Sequence, residues 1–140
     1  MKIKILTFIS LLLLTLSLAA VGCDKTSLPS ESTFVLTISE MDDSYSINED
    51  INITASLKNS SNHSYYIAYG AEFITILLDS ESDTFISIRN EQMFYGRETI
   101  KQRRTFSFEA LGDYTVNIYC RFYIDTMAYE YSDTIVIHVV

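Results

Sequence analysis

One stretch constrains this chain more than any other. From residue 114 to 124, Tyr114, Val116, Ile118, Cys120, Phe122 and Ile124 alternate with Thr115, Asn117, Tyr119, Arg121 and Tyr123. A period of two sends the two sets to opposite faces of an extended strand, and no helix can satisfy it. The same alternation returns in Phe34–Ser39, Ile51–Lys58 and Ile135–Val140. Beyond residue 32 no segment spaces its apolar residues for a helix. Breakers separate the runs at 42–44, 48–50, 59–62, Gly70, 79–83, Gly96 and Gly112-Asp113. The middle of the chain is expected to supply further strands. Ser64–Tyr69 and Glu72–Asp79 would be two strands joined at Gly70-Ala71, and Phe85–Arg89 a short one. Arg103–Glu109 would be another, with Phe106 and Phe108 turned inward.

The expectation is an all-β fold of about seven or eight strands in two antiparallel sheets. A lone sheet would leave half of these alternating faces uncovered. Two packed sheets bury both inner sets, at roughly 25 cal/mol for each Å² of apolar area removed from water. Leu111-Gly112-Asp113-Tyr114-Thr115-Val116, leading into the long strand, resembles the turn before the penultimate strand of immunoglobulin-like domains. That resemblance implies a tyrosine corner, with Gly112 supplying an unusual backbone angle and the Tyr114 hydroxyl returning to backbone just upstream. Ser46–Ile53, running into Leu57-Lys58-Asn59, is similar to the second strand of bacterial immunoglobulin-like modules. Those include adhesion-type repeats and the intracellular proteinase inhibitor family of bacilli. The likeness spans residues 33–140, while the Cys-Trp-Cys core of antibody domains is absent, since the chain has no Trp.

The amino-terminal residues have a different logic. Lys2 and Lys4 precede a nearly unbroken apolar run from Ile5 to Val21, which ends in small residues and a cysteine. Ala20-Val21-Gly22-Cys23 resembles the lipobox of bacterial lipoproteins, with Ala20 where Leu is commoner. The resemblance implies that residues 1–22 are a signal peptide, that Cys23 carries the lipid, and that the protein is held extracytoplasmically at the cell membrane. Residues 23–32 would form the lipidated start and a flexible tether. Removing 1–22 from 140 residues leaves 118, enough for one domain, 33–140, and takes the formal charge from −8 to −10 through loss of two lysines.

Such an acidic domain is unsuited to nucleic acid, whose phosphates demand a concentrated basic surface. Arg97, Lys101, Arg103 and Arg104 read as a solvated strand face. With Cys23 assigned to lipid, Cys120 has no disulfide partner, and its place in the alternating run makes it core filler. The triplets at Asn52, Asn59 and Asn62 match glycosylation acceptors but carry no weight in a bacterial lipoprotein. Asp79-Ser80-Glu81-Ser82-Asp83 spaces carboxylates like an EF-hand loop. Thr84 stands where that loop needs Gly and Asn90 where it needs Glu, so the segment reads as an acidic turn. His63 and His138 have no ligand-spaced companions for zinc. No cofactor, metal or catalytic constellation is called for.

The ten tyrosines are more suggestive. Tyr119 and Tyr123 beside Arg121 are expected to point outward, as are Tyr129 and Tyr131, with Tyr65, Tyr66 and Tyr69 as a second group. Tyr and Arg dominate recognition surfaces, though tyrosine also simply suits strands. The expectation is a non-catalytic binding or structural module whose partner surface is Tyr119, Arg121 and Tyr123. The partner would be another protein or envelope component. The alternative, drawn from the inhibitor resemblance, uses the loops Asn59–Ser64 or Asn90–Arg97.

Overall fold

The computed structural model describes residues 27–81 and 88–140. The segment 1–22 expected to be a signal peptide, Cys23, Asp83 and most of the strand expected at Phe85–Arg89 lie outside these. A 3-10 turn, Glu31–Thr33, leads into β1 (Phe34–Ile38), β2 (Ile51–Asn59), β3 (Tyr65–Leu78) and β4 (Asn90–Phe94). Then follow β5 (Thr99–Phe106), β6 (Gly112–Ile124) and β7 (Met127–Val139). All pairings are antiparallel. One sheet has the order β1-β2-β5 and the other β4-β3-β6-β7. The described residues form an immunoglobulin-like sandwich of seven strands. The strand order defines it, together with the corner before β6.

The core forms where the alternation demands it. Ile51, Ile53, Ala55 and Leu57 of β2 face Val116, Ile118, Cys120, Phe122 and Ile124 of β6, all buried. Phe34, at the start of the first sheet, is the main link between layers. Its ring meets Tyr65 at 5.7 Å, Phe94 at 5.6 Å, Phe122 at 5.1 Å and Tyr129 at 5.7 Å, so one residue of β1 touches all four strands opposite. Such edge and offset contacts add about 0.5–1.5 kcal/mol per pair beyond area burial.

Several elements differ from expectation. The two strands foreseen around Gly70 are one, β3, bent by a register shift between Tyr69 and Ile74. An irregularity of this kind absorbs Gly70 without ending the strand. Ile88 and Arg89 lie outside any strand, and β4 starts at Asn90, within a stretch read as loop. β7 begins at Met127, eight residues before the expected Ile135. Tyr129 is consequently buried and Tyr131 half-buried, packed on Phe122 at 5.5 and 6.2 Å, where both were expected outside. Tyr65 likewise turns inward.

After β1 the chain changes sheets. Tyr45 N–H donates to His138 O at 2.9 Å and Val140 N–H to Tyr45 O at 2.9 Å, a parallel bridge onto the outer edge of β7. Residues 27–33 run along the sandwich instead of hanging free. The Tyr129 hydroxyl donates to Pro29 O and the Tyr131 hydroxyl to Glu31 O, both at 2.8 Å. The domain's contacts therefore reach back to Pro29.

Candidate functional site

The outer face of the four-stranded sheet is set by the residues between the core positions. Around buried Cys120, Phe122 and Ile124, the intervening Tyr119, Arg121 and Tyr123 point away from the core. Tyr119 is half-buried, while Arg121 and Tyr123 are exposed. Register places Tyr119 opposite Ser132, Arg121 opposite Glu130 and Tyr123 opposite Ala128. The Arg121–Glu130 pair closes at 2.7 Å with both side chains more than half exposed, so water screens it and its net contribution is small. On the other side of β6, Tyr123 lies beside Ala68 of β3, and Tyr66, two residues along, is paired with Met93 of β4. The Tyr66 hydroxyl donates to Glu91 at 2.9 Å. That bond and the carboxylate's charge push the Tyr66 hydroxyl above its ordinary range and hold Glu91 below its own.

One end of the sandwich gathers the β2–β3 loop, the β4–β5 loop and the β6–β7 turn. A buried asparagine organises it. Asn59 continues the inward set of β2 where an apolar residue would be usual, and is fully buried. Its amide donates to His63 O at 2.8 Å and Tyr95 O at 3.0 Å, and its Oδ1 accepts from Ser61 N–H at 3.1 Å and the Ser61 hydroxyl at 2.8 Å. A buried amide is tolerable only when satisfied in this way. Gly96 completes the knot, because a Cβ there would lie 2.4 Å from Asn62 O. Arg97, at φ 65°, returns its Nε to Asn62 Oδ1 at 2.8 Å. The loop Asn59–Ser64 is thus clamped to residues 95–98, and the Asn90–Arg97 loop is half strand.

The opposite end carries the corner. Gly112 adopts φ 147°, open to glycine and strained for other residues, and the Tyr114 hydroxyl donates to Ala110 O at 2.9 Å. Its ring stacks on Phe108 at 3.8 Å. Arg104 reaches from β5 across to the other sheet, donating to Ile76 O at 2.6 Å and pairing with Glu81 at 2.7 Å. That guanidinium, with Leu78 N–H, holds the Glu81 carboxyl below its usual range. Asp79 accepts from Asn117 at 3.1 Å. The described part of the acidic turn therefore already spends its carboxylates on protein donors. Carboxylates crowd this end: Glu40, Asp42, Asp43, Glu49 and Asp50 on the β1–β2 loop, with Glu109 before β6 and Asp113 at its start.

Among the described residues, no group of three or more His, Cys, Asp or Glu side chains could hold a metal ion. Burial pushes the Cys120 thiol up to about 12, which leaves it as thiol, not thiolate, at neutral pH. Sequence reasoning missed the Asn59 knot. Its only signal was a polar residue at a position that the alternation reserves for the core.

No protein-family model and no curated protein matches the sequence. Two solved structures are similar to it in shape. The ASH/PapD-like domain of human CEP192 (PapD-like domain 7) is 12% identical over 83% of this chain and 92% of its own, with a TM-score of 0.44. The GAE domain of GGA2p from Saccharomyces cerevisiae is 13% identical over 81% of this chain and 96% of its own, with a TM-score of 0.41. These are loose likenesses, and the strand order and the tyrosine corner define the fold without them.

Proposed function

We propose that the protein is a lipid-anchored extracytoplasmic binding module, tethered through acylated Cys23 and working without catalysis. The sandwich offers the outer face of β6 to another protein or envelope component. The observation that supports this reading most is the row Tyr119, Arg121, Tyr123, which projects from a fully packed sheet on an otherwise acidic domain. Tyrosine covers area at low entropic cost and keeps a polar tip. Arg121, held only by a solvated pair, can exchange Glu130 for a partner carboxylate. Replacing all three residues with Ser in the soluble domain should abolish the partners captured from an envelope extract, and an unchanged set of partners refutes the surface. Cys23→Ser should abolish incorporation of a palmitate analogue, and equal labelling refutes the anchor.

A second reading, an inhibitor-like module, draws on the stiffness of the clamped loops 59–64 and 95–98. Assaying the purified domain against a panel of proteases separates the two, because a binding module leaves every protease active.

A further inference from the structure

The two ends of the sandwich differ in what they expose, and the tether leaves at only one of them. Residues 27–29 share a groove with Ser64, Tyr65, Tyr66, Ile124 and Asp125. The chain therefore emerges beside the knotted loops and the β6–β7 turn. Around that point Leu28, Tyr66, Met93, Tyr95, Tyr123 and Met127 stand exposed, with Tyr66 at 58% and Tyr95 at 61%. Gly96 N–H donates to the Ser64 hydroxyl at 3.1 Å, which joins Tyr95 to the same cluster. Two of the carboxylates close by are engaged, Glu91 by Arg89 and Glu98 by Tyr95 N–H. Asp125 stands exposed in the β6–β7 turn at φ 54°.

We infer that this end of the sandwich rests in the headgroup layer of the bilayer that anchors Cys23, and that the acidic loops point away from it. The inference rests on the lipid-anchor reading. Two arguments select the lipid surface as the occupant. The first is chain length: only three residues separate Cys23 from Ser27, and the four steps between them span at most about 14 Å even fully extended. β6, with its thirteen residues, is roughly 40 Å long at about 3.3 Å per residue. The tyrosine end lies within reach of the surface, and the far end does not while the domain stands upright. The second is charge. The far-end loops concentrate carboxylates that an anionic leaflet repels, while the near end offers tyrosine, methionine and leucine, whose apolar bodies and polar tips suit the interface. Ile47, Leu111, Val136 and Val140 are also exposed towards the far end, but that end carries the concentration of carboxylates. The arrangement seats Tyr123 at the lipid margin and leaves Arg121 above it, exposed to the side.

The chain has no tryptophan, so a single introduced indole reports its own surroundings. The test uses the full lipidated protein, purified from membranes and reconstituted in phosphatidylethanolamine–phosphatidylglycerol vesicles, with or without lipids brominated near the headgroup. Tyr95→Trp and Met127→Trp are near-end probes at exposed positions, and Leu111→Trp is the far-end control, 65% exposed. The expected result is about twofold loss of emission at position 95 or 127 and almost none at 111. Labelled Cys23 with all three indoles equally bright overturns the orientation while the anchor stands. Equal quenching at all three means a domain lying flat and also overturns it. An unlabelled Cys23 sinks anchor and orientation together.

Discussion

The two ends of this sandwich are built by opposite means. At the end where the amino-terminal segment emerges, loops are fixed by neutral hydrogen bonds to a buried amide, Asn59, and by a backbone approach that only Gly96 permits. At the other end, loops are fixed by exposed contacts: a charged pair, Arg104 with Glu81, and the His138 ring on Asp113 at 2.7 Å. The lesson is that one domain can hold its two loop sets in different regimes. Buried neutral bonds ignore salt and pH, whereas solvated ion pairs follow both.

Asn59→Ala tests the contrast most severely. It strips partners from two carbonyls and two donors at once, and a loss of about 3 kcal/mol is expected in urea unfolding, unchanged by added salt. Gly96→Ala should cost about 2 kcal/mol, because the new methyl meets backbone that can yield only if the whole knot shifts. Thermal melting reads it, and a neutral result would mean that the loops are softer than their geometry. Tyr114→Phe removes one corner hydrogen bond at the other end and should cost about 1 kcal/mol by the same measurement.

The smallest effect sharpens the comparison furthest. Glu81→Gln should destabilise by less than about 1 kcal/mol at pH 7, and 1 M NaCl should shrink the difference. The sign follows from its lowered folded value. The pair's contribution is present above the unfolded Glu value of about 4.3 and fades as pH falls through the depressed folded one. Below that point Glu81→Gln and the parent should melt together, while the penalty of Asn59→Ala persists. A deficit for Glu81→Gln that survived acid would place the far end in the same regime as the near one.

Much of this architecture was legible before any coordinates. The strict alternation of β2 and β6 fixed both faces of the central strands, and Leu111–Tyr114 announced the corner that Gly112 and the Tyr114 hydroxyl complete. The outward placement of Arg121 and Tyr123 followed from the same period. What escaped the sequence was tertiary. Tyr129 and Tyr131 carry hydroxyls and sit between Ala128, Glu130 and Ser132, so they read as surface. They are inside because their rings pack on Phe122 and their hydroxyls reach the carbonyls of Pro29 and Glu31, a hundred residues away. Gly70 reads as a break, yet the irregularity beside it lets β3 continue. Asn59 reads as turn chemistry, because nothing local shows that two loops converge on it.

The bridge from Tyr45 onto Val139 has a consequence for how copies of this protein meet one another. A sheet edge with unpaired backbone groups invites a neighbour to add a strand, and crowding favours such zippering. Here β1 and β4 have five residues each, β5 carries Lys101 and Arg103 outward, and β7 has one end already occupied by Tyr45. Neighbouring molecules can therefore come together without joining their sheets edge to edge.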